Sequence, residues 1–285
     1  MRALALVALT GCELLFPLRE PPPGDAPEDE LARPQGILRV VEEPVTAGTE
    51  STIELSVVGH AGAQVTYQLD SEPGMFETEG GMLELTEEVA AGVGRATALL
   101  AWNPPQSCAP ATVNASLGYD QTIDPANRTS LDVSVLQQFG ETNLSAMTGT
   151  FEPEDLIAMP VQVDAEGCNL VKLSIAVLAT DDTVGEIGLY DDTGPGPGNL
   201  LVRAELPPSN VSEEMVLEAE VSLRDPLPSG KYWVAVVTNG GLVLDAEGNG
   251  PALLVNMAGT TLPEPFPSSM MMNTTLRVGV TVAPP

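Results

Sequence analysis

Apolar and polar residues alternate one by one through much of this chain. In Thr52-Ile53-Glu54-Leu55-Ser56-Val57 the residues Ile53, Leu55 and Val57 share one side, and in Gln64-Val65-Thr66-Tyr67-Gln68-Leu69 the residues Val65, Tyr67 and Leu69 do so. Successive side chains of a strand point to opposite faces, so each run predicts a strand with one buried and one solvated face. Val113, Ala115, Leu117 and Tyr119 repeat the pattern, as do Leu131, Val133 and Val135. Farther along, Tyr232, Val234 and Val236 share the apolar phase of a run opened by the Ser229-Gly230 turn, and Leu276, Val278 and Val280 share another. Gly and Pro punctuate the runs: Asp191 to Asn199 reads as a turn joining two strands, and Val58-Gly59-His60-Ala61-Gly62 as a hairpin tip. Strands about ten residues apart with no amphipathic helix between them predict an all-β chain of antiparallel sandwiches.

Composition divides the chain. Residues 13–36 are rich in proline and acids, with Phe16 as the main core-forming side chain, and this cannot repay chain entropy. Residues 12–35 are therefore expected to be a disordered tether, with a reach of ~70 Å if stiff and ~27 Å as a flexible coil for about 24 residues. The remainder is long enough for two domains, and the expected division is 36–138 and 139–285. With 43% apolar residues but only 4% aromatics, 27 Gly and 26 Pro, the cores are small aliphatic ones joined by tight turns. The formal charge of −29, with Lys172 and Lys231 the only lysines, excludes nucleic acid as a partner, because phosphate recognition needs a Lys/Arg footprint. It also disfavours general adhesion to an anionic surface.

The first dozen residues, Met1-Arg2-Ala3-Leu4-Ala5-Leu6-Val7-Ala8-Leu9-Thr10-Gly11-Cys12, hold one positive charge, a short apolar run and a Leu-x-Gly-Cys box. The run is too short to span a bilayer. It resembles a bacterial lipoprotein signal, which implies removal of residues 1–11, acylation of Cys12, and a mature protein anchored in the membrane through its lipid. Three acyl chains at ~0.8 kcal/mol per buried methylene hold far better than one. By the family's sorting logic Glu13, where an Asp would retain the protein in the inner membrane, implies the outer membrane, facing the periplasm or the cell surface.

Two further resemblances concern the folded part. Ala47-Gly48-Thr49 before a strand, then Val65–Leu69, Pro73-Gly74-Met75-Phe76 and Gly94–Leu99, resembles bacterial Ig-like modules of surface proteins. Leu170 to Val177, then Gly185 to Leu201 with Leu189-Tyr190-Asp191-Asp192-Thr193-Gly194-Pro195-Gly196, then Leu227 to Val236 with Gly230-Lys231-Tyr232-Trp233-Val234-Ala235-Val236, resembles jelly-roll modules of exported bacterial proteins. Such modules share no single ligand.

Candidate chemistry is sparse. Asp181-Asp182 and Asp191-Asp192 lack the alternating acid spacing of a calcium loop and read as turn residues. Gly194, Gly196 and Gly198 do not make a phosphate cradle, because Pro195 and Pro197 remove backbone donors. His60 is the only histidine and no Gly-x-Ser-x-Gly elbow accompanies it. The 40 acidic residues guarantee accidental pairs, so spacing alone names no glycosidase. Trp233, on the opposite phase from Tyr232, is a weak candidate for stacking on a sugar. Setting Cys12 aside as the lipidated residue leaves Cys108 and Cys168, an even pair in an oxidising compartment, which reads as a disulfide between the modules or as two free thiols. The expected function is a non-catalytic envelope lipoprotein, binding or structural, with an envelope protein or glycan as partner, no cofactor and no metal. The alternatives are a carbohydrate-binding accessory module and a carboxylate-dependent hydrolase.

Overall fold

The computed structural model describes residues 33–60, 62–76, 83–88, 95–140, 148–180, 184–208, 214–240, 242–248, 250–257, 259–272 and 274–285. Cys12, the tether up to residue 32 and Asp181-Asp182 lie outside them. The described chain is all β, in antiparallel sheets that pack as sandwiches.

The first unit is built from β1 (Gln35–Val40), β2 (Ser51–Val58), β3 (Gln64–Glu72), β4 (Met75–Phe76), β5 (Leu83–Glu88), β6 (Arg95–Asn103), β7 (Ala109–Tyr119) and β8 (Asp124–Val135). These form two four-stranded sheets in the orders β1-β2-β6-β4 and β5-β3-β7-β8. The alternation read from the sequence decides what lies between them. Ile53, Leu55, Val57, Val65, Tyr67, Leu69, Val113, Ala115 and Leu117 all face the core, around a Trp102 whose Nε1 donates to Ser71 Oγ at 3.0 Å. Because β2 and β3 belong to different sheets, the Gly59-His60 turn is a corner between sheets and not the hairpin tip that the run of small residues suggested. The His60 N–H is held there by the Tyr119 hydroxyl at 3.2 Å.

The second unit contains β9 (Gln137–Gly140), β10 (Thr148–Phe151), β11 (Asp155–Val163), β12 (Asn169–Thr180), β13 (Gly185–Asp192), β14 (Pro197–Glu205), β15 (Met215–Glu220), β16 (Gly230–Thr238), β17 (Leu242–Gly248), β18 (Leu253–Asn256), β19 (Met270–Met271), β20 (Thr274–Leu276) and β21 (Val278–Ala283). One sheet runs β10-β17-β12-β21-β9, with β15 beside β12 and β20 beside β17. The other runs β14-β13-β16-β11-β18-β19. Leu173, Ile175, Val278 and Val280 from the first meet Ile187, Leu189, Tyr232, Val234 and Val236 from the second in one core.

The passage from one unit to the next falls two residues earlier than the apolar pattern implied. Gln137 and Gln138 already pair with Val282 and Thr281 of β21, whereas Leu136 still belongs to the first unit, donating to Val45 O at 2.9 Å and accepting from Ala47 N at 2.7 Å. The two glutamines are polar residues on an edge strand, where backbone pairing rather than burial sets the register.

Candidate functional site

Two places bring together the residues that the sequence singled out. One is the junction of the units. Cys108 ends the loop between β6 and β7, and Cys168 ends the loop between β11 and β12, where Gly167 at φ 73° turns the chain through a left-handed conformation that a side chain would strain. The two cysteines form a disulfide with Cα atoms 6.5 Å apart, across a sequence separation of 60. The Gln137 side chain ties the bond to the connecting strand, accepting from Cys108 N at 3.1 Å and donating to Gln106 O at 3.5 Å. Cys168 is buried beside the bridge to Leu227, and Cys108 packs on the second unit's core from outside. The units are thus joined twice, once by the backbone at Leu136-Gln137 and once by sulfur.

The other place is the outer face of the β14-β13-β16-β11-β18-β19 sheet. Tyr232, Trp233, Val234, Ala235, Val236 and Val237 are all buried, because this sheet is covered on both sides. On the outer side, Leu156, Ala158, Tyr190, Trp233, Ala235 and Val237 form a second core with Leu262 and Phe266 from the segment that joins β18 to β19. That segment is fastened at three points: Leu262 N donates to Glu186 Oε2 at 2.8 Å, Tyr190 OH donates to Pro263 O at 2.7 Å, and Phe266 N donates to Gly198 O at 3.0 Å. Phe266 also meets the Tyr190 ring edge-on at 5.2 Å. Trp233, at 4% exposure, is therefore not the open stacking platform that its phase on the strand suggested. Alternation marks which way a side chain points, and here a strap of later sequence covers that direction.

The strap and the hairpin also set the electrostatics. Trp233 Nε1 donates to Asp192 Oδ1 at 2.7 Å, and Lys231 Nζ lies 3.4 Å from the same oxygen and 4.7 Å above the indole ring. The Trp233 N–H holds the Asp192 carboxyl below its ordinary range; desolvation opposes it, and the Lys231 ammonium and the Gly194 backbone N–H reinforce it. Burial, reinforced by Glu186, pushes the Tyr190 phenol well above its ordinary value. Asp191 turns inward on its own hairpin and accepts from Asn199 N at 2.6 Å and Asn199 Nδ2 at 3.2 Å. Asp191 is thus engaged within the turn, whereas Asp192 is held chiefly by Trp233 and Lys231 of the neighbouring β16. This arrangement braces a hairpin. It supplies an acceptor already saturated by two donors, which is a poor general base.

His60 is exposed, with its ring tilted against Tyr119 at 5.6 Å. Among the described residues no group of three or more His, Cys, Asp and Glu side chains could hold a metal ion. Gln137 and Pro263 carry no motif, since their hydrogen-bond partners lie 29 and 31 positions away for Gln137 and 73 for Pro263, and Phe266 likewise finds Gly198 and Tyr190 far back in the chain. The one usable signal was the unbroken apolar run of β16, which reads as a strand buried on both faces.

No family model matches the chain, and no curated protein matches it. Among solved structures, the cysteine protease and lectin-like domains of a surface-layer-associated protein of Clostridium difficile align at 9% identity and TM-score 0.34, over 79% of this chain and 59% of that one. A structure of infectious bursal disease virus, Gx strain, aligns at 7% identity and TM-score 0.28, over 88% of this chain and 71% of the other. The alpha-2-macroglobulin of E. coli aligns at 11% identity and TM-score 0.23, over 88% of this chain and 20% of the other. The chain spans 59% of the length of the first of these, and all three likenesses are too distant to assign an activity.

Proposed function

We propose that this protein is a non-catalytic lipoprotein of the bacterial cell envelope, in which a lipid on Cys12 and an acidic, proline-rich tether carry two β-sandwich modules that bind or brace another envelope component. The observation that carries the reading is the Cys108–Cys168 bond. A disulfide of this kind belongs to an oxidising compartment, so it supports export, and it uses two of the three cysteines and leaves Cys12 of the Leu9-Thr10-Gly11-Cys12 box as the odd one. The Ig-like reading of the first module is supported by its two four-stranded sheets, with β2 and β3 in opposite sheets. The jelly-roll reading of the second is supported by its two large antiparallel sheets and long core. With Trp233 covered, a sugar platform at that position loses its support.

The test is metabolic labelling with a fatty-acid analogue followed by membrane fractionation. The wild-type chain labels and sediments with the outer membrane, while Cys12→Ala remains unprocessed and unlabelled. Equal labelling of the two chains would overturn the anchor.

A further inference from the structure

The two outer faces of the first unit differ in character. On β3, β7 and β8 the outer side chains satisfy each other: Asn114 Nδ2 donates to Asp70 Oδ1 at 2.9 Å, Arg128 reaches the same oxygen at 3.2 Å, and Ser130 Oγ donates to Asn114 Oδ1 at 2.8 Å. On β1, β2 and β6 the outer face instead holds a depression of about 330 Å³ lined by Ile37, Arg39, Glu54, Ser56, Val58, Arg95 and Thr97. Arg39 is paired with Glu54 at 2.7 Å, which in turn accepts from Ser56 at 3.1 Å. Arg95 is exposed and has no partner among the described residues. The lining carries two cations and one acid in a protein whose formal charge is −29. Beside the cations stand an Ile37 that is 53% exposed, the half-buried Val58, and, on the neighbouring row of β6, a Leu99 that is 65% exposed.

We propose that this depression binds the phosphate of a membrane phospholipid headgroup and seats the first module on the bilayer surface. This rests on the lipid-anchor reading for its biological setting. Arg95 supplies a planar fork of donors suited to a phosphate oxygen pair, and Arg39 keeps donors beyond the one given to Glu54. The Thr97 hydroxyl adds a donor, and Ile37 and Val58 offer carbon surface to the glycerol and first acyl methylenes. The place of chain entry favours a lipid over another anion. Gln35 pairs with Val58, and Val58 with Arg95, so the chain arriving from Cys12 enters the fold at the Arg95 end of the depression. Cys12 stands only 23 positions before Gln35, so a lipid on Cys12 keeps the site close to headgroups and a weak site suffices. The acidic remainder does not defeat it, because charges more than about 8 Å away are largely screened at physiological salt.

The experiment uses the full chain carrying Cys12→Ala, so that no acyl group contributes, and follows backbone amide shifts during titration. The probes are dihexanoylphosphatidylglycerol below its micelle concentration, dihexanoylphosphatidylcholine and inorganic phosphate. The expected result is a saturable response confined to residues 37–39, 56–58 and 95–97, stronger for the two lipids than for phosphate. Arg95→Gln weakens it at least five-fold with an unchanged melting temperature, and Arg128→Gln on the opposite face leaves it as it was. An absent or unsaturable response, an equal response to inorganic phosphate, shifts centred on Asp70 and Asn114, or indifference to Arg95→Gln would each overturn the proposal. Since the titrated chain carries no lipid, a negative result here leaves the acylation experiment standing, and failure of acylation leaves this result standing.

Discussion

In the first sandwich the clearest strands bury one face and leave the other to polar or part-exposed side chains, as β2 does with its strict alternation from Ser51 to Val58. In the second, β16 buries seven consecutive residues from Tyr232 to Thr238. The difference lies in what happens after the sheet is made. The first unit leaves its outer faces to water and to whatever docks there; the second folds a proline-containing strap back across one of them and gains a second core of Tyr190, Trp233, Leu262 and Phe266. Two tryptophans measure the contrast. Trp102 lies between the sheets of its sandwich and Trp233 lies outside its own, yet both are buried and both have a hydrogen-bonded indole.

The sharpest way to break this comparison is Trp233→Ala. If the strap makes a true second core, the substitution destabilises the second unit by ~3–5 kcal/mol, as large-to-small changes at buried aromatics do. In a calorimetric scan the transition assigned to residues 137–285 falls, while that assigned to residues 33–136 stays in place. A change below ~1 kcal/mol would mean that the strap is a loose cover and that the two sandwiches are alike.

Next in size is the sulfur joint. Replacing Cys108 and Cys168 together by serine frees a loop of sixty-odd residues, for which the chain-entropy model gives ~4 kcal/mol and measured cases commonly ~2–4. The expected outcome is loss of cooperation between the units, seen as two separated melting transitions where the oxidised protein shows transitions closer together. Coincident transitions in both forms would show that contacts around Leu136 and Gln137 suffice.

The smallest effect is electrostatic and belongs to the second unit alone. The folded-state pKa of Asp192 is lowered, so its contribution is fully present above the unfolded value of about 3.9 and is lost as the pH falls through the lower folded value. Partial exposure and solvent screening keep it below ~1 kcal/mol. Asp192→Asn therefore makes the second unit's acid-side loss of stability shallower below about pH 4, followed by thermal melts at stepped pH, and leaves the first unit's profile unchanged.

Strands and their inward faces were legible because alternation is a local property: Ile53, Leu55, Val57, Val113, Ala115 and Leu117 point where the pattern placed them. The hairpin from Gly185 to Glu205 was equally readable from its Gly/Pro turn. The cysteine pairing followed from parity, with free thiols as the open alternative, and the structure bonds them. What escaped was non-local. Nothing in Leu262-Pro263-Glu264-Pro265-Phe266 distinguishes a strap from a linker, since its core neighbours and hydrogen-bond partners come from distant strands that include β11, β13, β14 and β16. The β16 run itself held the clue, because six apolar residues in a row leave no polar phase to face water. The depression around Arg95 could not be seen at all in one dimension, as it gathers residues from three strands that pair only in the folded sheet.

A chain of two modules joined by one peptide link is a swivel: each body can rotate about the single connecting bond, and a twist applied to one is not felt by the other. Here the second attachment, Cys108 to Cys168, lies off the line of the backbone joint at Leu136-Gln137 and is latched to it by the Gln137 side chain. Two pins that do not coincide convert a swivel into a lever arm. Torque or load taken up at the far end of the second sandwich is delivered to the first through two bonds and not one, and a single point of attachment at the other end of the molecule would feel it as a turn as well as a pull.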